Sequence, residues 1–185
     1  VESWIRTGQI PELRPAQVAD WLHGLASSWV PPPGVEVEVA LGLSPDGRHV
    51  AVTEPEPHAY RPVDPAHRLL TAGRADLLWL QDGCIYVTDH KTGRFAPGSP
   101  ITPQLMALGL AAADRAEASH MALGLYLARE VDWRWSEAIP LDSEEAARMW
   151  DLVQMYAGLG PEPRPGEWCG GCWETSCEHN PKAGR

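Results

Sequence analysis

The chain has 185 residues, 44% of them apolar and 22% charged, with 25 acidic and 15 basic side chains giving a net charge of −10. That length suits one domain, and that composition excludes wholesale disorder. The acidic balance argues against a protein that coats nucleic acid through bulk positive charge, although a local groove beside metal-bound acids stays compatible with it. No apolar run is long enough to cross a bilayer, and no basic segment followed by an apolar stretch marks a secretory signal. Four cysteines are too few for a disulfide-dense secreted scaffold and point to a reducing cytoplasm. The first residue is Val1 rather than Met, which reads as processing or truncation.

In chain order, residues 1–7 read as the end of a helix stopped by Gly8. Pro15 opens a second helix with Val18, Trp21, Leu22 and Leu25 at helical spacing. Pro31-Pro32-Pro33-Gly34 breaks the chain. Residues 35–41 alternate apolar and polar side chains, as a half-buried strand does, and Pro45-Asp46-Gly47 turns toward a short strand near 49–52. Residues 53–68, rich in Pro, Glu and His, read as a long surface loop.

Residues 72–80 and 84–91 are both strand-like, and Asp82-Gly83 between them is a strong two-residue hairpin signal. An Ala- and Leu-rich helix follows over 104–118. Strands follow near 123–127 and 131–135, and Ser143-Glu144-Glu145 opens a helix to about Gly158. From Pro161 to Arg185 the chain reads as an irregular segment with three cysteines. This order predicts a single α/β domain over 1–185, a mixed sheet flanked by helices. The nine tryptophans read as core or rim packing.

With Asp82-Gly83 at the centre of the turn, Gln81 faces Cys84, Asp76 faces Asp89 and Arg74 faces Lys91. Two-residue periodicity then puts Arg74, Asp76, Asp89 and Lys91 on one face, continuing the apolar stripe of Leu78, Leu80, Ile85 and Val87. Opposed Cβ atoms lie roughly 4.5–5.5 Å apart, so the two carboxylates repel unless a cation sits between them. Mg²⁺ suits such a site, because it takes one or two protein carboxylates with water and substrate phosphate. Lys91 would then orient water or neutralise phosphate charge. Diagonal salt bridges on an exposed sheet face are the competing reading. Glu36 or Glu38 on the neighbouring strand reads first as solvent-facing and, as the alternative, as a carboxylate that approaches the metal from the adjacent strand. Arg61, Arg68, Arg74 and Arg94 cluster around the motif in sequence. They read as a phosphate-contacting patch or, equally, as scattered surface charge.

Gly73-Arg74-Ala75-Asp76, the turn, and Asp89-His90-Lys91-Thr92-Gly93, followed by a helix led by Gln104, resemble the RecB and AddB type of nuclease domain in the PD-(D/E)XK superfamily. Leu108 stands where that pattern has Tyr. The resemblance covers about 35–130 and implies a restriction-endonuclease-like core. It also implies a Mg²⁺- or Mn²⁺-dependent exonuclease acting on single-stranded DNA or duplex ends, with repair, phage or CRISPR-related proteins as partners and no membrane. Asp76, Asp89 and the backbone carbonyl of His90 would be metal ligands, Lys91 the catalytic lysine, and Gln104, with Arg74, substrate contacts. The alternative is an inactive nuclease-like scaffold or DNA-binding module.

Cys169, Cys172 and Cys177 resemble the C-terminal triad of the iron–sulfur branch of these nucleases, which implies a [4Fe–4S] cluster. On ligand chemistry alone, three readings stay open. The three cysteines with His179 hold structural Zn²⁺, they are the remnant of a cluster, or they are free thiols. The zinc reading would make this a zinc-stabilised interaction domain.

Overall fold

The computed structural model describes residues 29–56, 59–91, 99–128, 130 and 132–158. The helices expected over 1–7 and from Pro15, the Thr92-Gly93 end of the motif, Arg94 and the segment from Pro161 lie outside the described residues. So do Cys169, Cys172, Cys177 and His179. Within them the chain is α/β: a mixed sheet flanked by two helices, compatible with a restriction-endonuclease-like core.

Strand β1 (Glu36–Leu43) and the short β2 (His49–Val50) form where alternation and the Pro45-Asp46-Gly47 turn predict them. The expected loop over 53–68 is instead partly a second, two-stranded sheet. There β3 (Val52–Glu56) pairs with β4 (Ala59–Pro62). Pro55 and Pro62 mask this pair in the sequence. An isolated ribbon tolerates proline because each strand uses only one of its edges, and a register shift between Thr53 and Glu56 accommodates the irregularity.

The long hairpin is β5 (Thr71–Gln81) and β6 (Cys84–Lys91), in the register the turn dictates, from Gln81↔Cys84 to Leu77↔Thr88. Asp82 and Gly83 have φ of 50° and 75°. Both central residues are therefore left-handed, the backbone that a two-residue hairpin needs and that Asp-Gly supplies. Helix α1 (Pro103–Ala116) begins at an N-cap, Thr102, whose hydroxyl accepts from the Leu105 N–H at 3.2 Å, with proline just inside. It leads to β7 (His120–Leu127), which runs parallel to β6. A parallel neighbour requires such a crossover. Strands β8 (Asp132–Trp135) and β9 (Ile139–Pro140) both pair antiparallel with β7. Helix α2 (Glu144–Gly158) follows, with the Ser143 hydroxyl accepting from the Ala146 N–H at 3.2 Å.

Among the described residues the main sheet has seven strands, ordered β2-β1-β5-β6-β7-β8 with β9 also on β7. One face carries α1 and, against it, α2. Leu41, Leu78, Val87, Leu105, Leu123 and Met149 meet there, each at most 3% exposed. Each such side chain contributes about 1.5–3 kcal/mol by leaving water. The other face is aromatic. Trp79 stacks on Tyr86 at 4.9 Å and Trp133 on Trp135 at 5.2 Å, and Trp29 tilts against Trp79 and Trp133. These tryptophans pack against one another, as the sequence suggests. Gly124 belongs to that packing, since a Cβ there would stand 2.5 Å from the Trp135 ring. Leu80, expected in the buried stripe, is 50% exposed beside the turn.

Gly83→Ala is expected to destabilise the fold by about 1–2 kcal/mol, the cost of a left-handed Cβ. Asp82→Asn should be neutral within about 0.5 kcal/mol, because Asn-Gly suits the same turn. Urea unfolding of the two variants checks this.

Candidate active site

Strict alternation along β5 fails at one place. A Cβ at Gly73 would touch Leu108 of α1, and Ala75 belongs to the core beneath that helix, so both face α1. Leu78 also belongs to that core, although it lies three residues beyond Ala75. The alternation therefore slips by one between them, across Asp76 and Leu77. On the neighbouring strand the slip has a partner. Val39 packs on the core and Glu36 reaches Arg115 of α1 at 2.8 Å, while Glu38 between them has φ of 55°.

Asp76 lies in this slip, where the β5–β6 ladder has ended at Leu77↔Thr88. Its Oδ2 accepts from the His90 N–H at 2.5 Å. A side-chain carboxylate thus satisfies a strand N–H just past the last ladder pair. On β6, Asp89 follows Val87 on the helix-covered side and is 8% exposed. Its Oδ2 lies 2.5 Å from Lys91 Nζ. The hairpin thereby brings Asp76, Asp89 and Lys91 into one electrostatic cluster: the charges of Asp89 and Lys91 both act on Asp76.

The cluster is unfavourable for the Asp76 anion. Burial is the main cause that pushes the Asp76 carboxyl up to about 6, and the negative charges of Asp89 and Glu38 add to it. The His90 N–H and Lys91 oppose the shift. The His90 ring turns to the aromatic face, edge-on to Tyr126 and Trp133, and burial lowers its pKa to about 4. Its Nδ1 also lies 4.0 Å from Asp76 Oδ2, so the ring borders that acid.

Arg74 does not join the cluster as expected. It lies between Gly73 and Ala75, which face α1, so its side chain stands on the opposite face from Asp89. There it bonds Glu38 at 2.8 Å and Glu54 at 3.4 Å. The expected single face for all four charges is corrected by the slip, which no sequence pattern signals. Glu38 is the residue that sequence reading undervalued. It lies near enough to act on Asp76, whereas Glu36 is taken by Arg115. Gln104 stands in the first turn of α1, exposed, lining a cavity with Thr71, Gly73 and Leu108 just upstream of Asp76. Cys84 is buried and outside any disulfide, far along β6 from the acids.

Among the described residues no three or more His, Cys, Asp or Glu side chains form a ready-made metal cage. Two carboxylates with hard oxygen donors nevertheless fit Mg²⁺ or Mn²⁺, which fill the remaining positions with water and substrate oxygen. The raised Asp76 carboxyl is the observation that supports the fit, since a divalent cation relieves the penalty on that anion. No protein-family model, curated protein or solved structure matches this chain.

The pKa of Asp76 carries a stability consequence. Its carboxyl is held above the unfolded value, so its favourable contribution is complete below about pH 4 and is lost as pH rises through about 6. Asp76→Asn keeps an acceptor for the His90 N–H without the charge. In metal-free protein at pH 7.5 it should therefore be more stable than wild type, by up to about 3 kcal/mol. The gain should shrink to nothing by pH 4. Paired denaturation curves across that range measure it.

Proposed function

We propose that this chain is a metal-dependent nuclease domain of the RecB-like PD-(D/E)XK class, acting in the cytoplasm and hydrolysing phosphodiester bonds of DNA, as an exonuclease on single strands or duplex ends. The observation that carries the reading is the placement of Asp76 beside the Asp89–Lys91 ion pair at the end of the β5–β6 ladder, where burial and the Asp89 charge raise the Asp76 carboxyl.

Asp76 and Asp89 would hold Mg²⁺ or Mn²⁺, with the His90 carbonyl as a further ligand. A bound ion would supply Lewis-acid polarisation of the phosphate and lower the pKa of water. Lys91 lies two residues beyond Asp89 and keeps its ammonium at that carboxylate's Oδ2. From there it donates a hydrogen bond to the attacking water or to charge developing on the phosphate. While the ion is absent the same ammonium neutralises Asp89, which lowers the cost of holding that buried carboxylate. Gln104, on the first turn of α1, contacts the incoming strand. Arg74 acts one step away from the chemistry, by fixing Glu38 rather than by gripping phosphate. Zn²⁺ or a [4Fe–4S] cluster at Cys169, Cys172, Cys177 and, for zinc, His179 belongs to the same reading as a structural clamp.

Lys91→Ala should lower cleavage of linear single- and double-stranded DNA by about 10²–10³-fold. Folding and Mn²⁺ binding should persist, because Lys91 is a partner of the ligand Asp89 and not itself a ligand. Asp89→Asn should lose Mn²⁺ binding and cleavage together. Cleavage by Lys91→Ala at the wild-type rate contradicts the catalytic assignment. A wild-type protein that binds DNA and cleaves nothing with either metal favours the inactive scaffold.

A further inference from the structure

We propose that the cavity between β1, β5, α1 and α2 receives one unstacked nucleobase of the substrate strand, an inference that rests on the nuclease reading and gives it a substrate-binding subsite. The cavity has a volume of about 230 Å³. That is below the roughly 300–1,000 Å³ of pockets for drug-sized ligands and suits a single flat ring system, not a base pair. Leu41 and Leu43 of β1 and Val153 of α2 form an apolar floor, and Tyr156 of α2, a residue 49% exposed, stands at the wall.

None of the described residues that line the cavity carries a formal charge. A phosphate, a carboxylate or a metal ion finds no counter-charge there, which excludes ionic ligands. The polar side-chain groups are the amide of Gln104, which offers both a donor and an acceptor, and the hydroxyls of Thr71 and Tyr156. An apolar floor, an exposed aromatic ring and an amide with both hydrogen-bonding senses match a neutral ring with a polar edge. Stacking on an aromatic side chain, with an amide at the base edge, is how unpaired bases are held.

The position connects this cavity with the acids. Gly73 lines it, three residues before Asp76 on the same strand and about 10 Å away at the usual strand rise. A strand anchored here by a base therefore runs its neighbouring phosphates past Asp76 and Asp89. Such an anchor requires an unpaired base, so it selects single strands and frayed ends over intact duplex.

The test is fluorescence anisotropy of a short labelled oligothymidylate with Ca²⁺ replacing Mg²⁺. It is repeated with an abasic residue at each position in turn, for wild type, Tyr156→Ala and Tyr156→Phe. Circular dichroism confirms that each variant is folded. For wild type, one abasic position should weaken binding by about five- to 150-fold, the range for one stacked base. Tyr156→Ala should lose that dependence and Tyr156→Phe keep it. A flat abasic profile, a Tyr156→Ala variant with the wild-type profile, or no binding of the oligonucleotide overturns the proposal. Mg²⁺-dependent cleavage with a flat profile rejects the cavity and leaves the nuclease reading standing. One sensitive position without cleavage supports the cavity and rejects the nuclease reading.

Discussion

Asp89 and Lys91 form an ion pair where the β5–β6 ladder stops, and their charges act on Asp76 across the hairpin. Asp76 ends the ladder by accepting the His90 N–H in place of a strand carbonyl, and Asp89 stays buried against Lys91. Neither arrangement is the cheapest available to a hairpin. An uncharged residue at 76 avoids the burial penalty that raises the carboxyl to about 6. Perturbed ionisable groups concentrate at functional sites because the chemistry there needs what the fold does not.

Packed layers flank the cluster on both faces of the sheet. Helix α1 packs across β1, β5, β6 and β7 on one face, and stacked indole rings close the other. The slip in alternation is shared by β1 and β5, so Glu38 and Asp76 leave the regular pleat together. Arg74 then ties Glu38 to Glu54 of the small sheet. The β3–β4 ribbon is thereby joined to the edge of the site through one guanidinium, and a residue expected to touch phosphate becomes a brace.

The turn half of the hairpin is legible in the sequence. Asp82-Gly83 fixes the turn, and the turn fixes the register as far as Leu77↔Thr88, one pair short of Asp76 and Asp89. Both described helices were legible, α1 from its Ala- and Leu-rich run and α2 from the Ser143-Glu144-Glu145 start, while the Thr102 cap of α1 emerged only in the structure. The slip at Asp76 was not. It depends on which of Ala75 and Leu78 the core demands beneath α1, a tertiary choice that overrides two-residue alternation. Arg74 and Leu80 were misplaced for that kind of reason: each continues a pattern that ends before it does. The β3–β4 pair was missed because Pro55 and Pro62 look like loop residues unless the unused edge of a two-stranded ribbon is already known.

The central claim is that Asp76 and Asp89 share a divalent cation. The most direct measurement is crystallography of Mn²⁺-soaked protein with anomalous data collected at the manganese edge. The account predicts a peak between the Asp76 and Asp89 carboxylates, with the Lys91 ammonium drawn off Asp89 Oδ2. Saturating Mn²⁺ with no peak there, and with the Lys91–Asp89 ion pair intact, would contradict it.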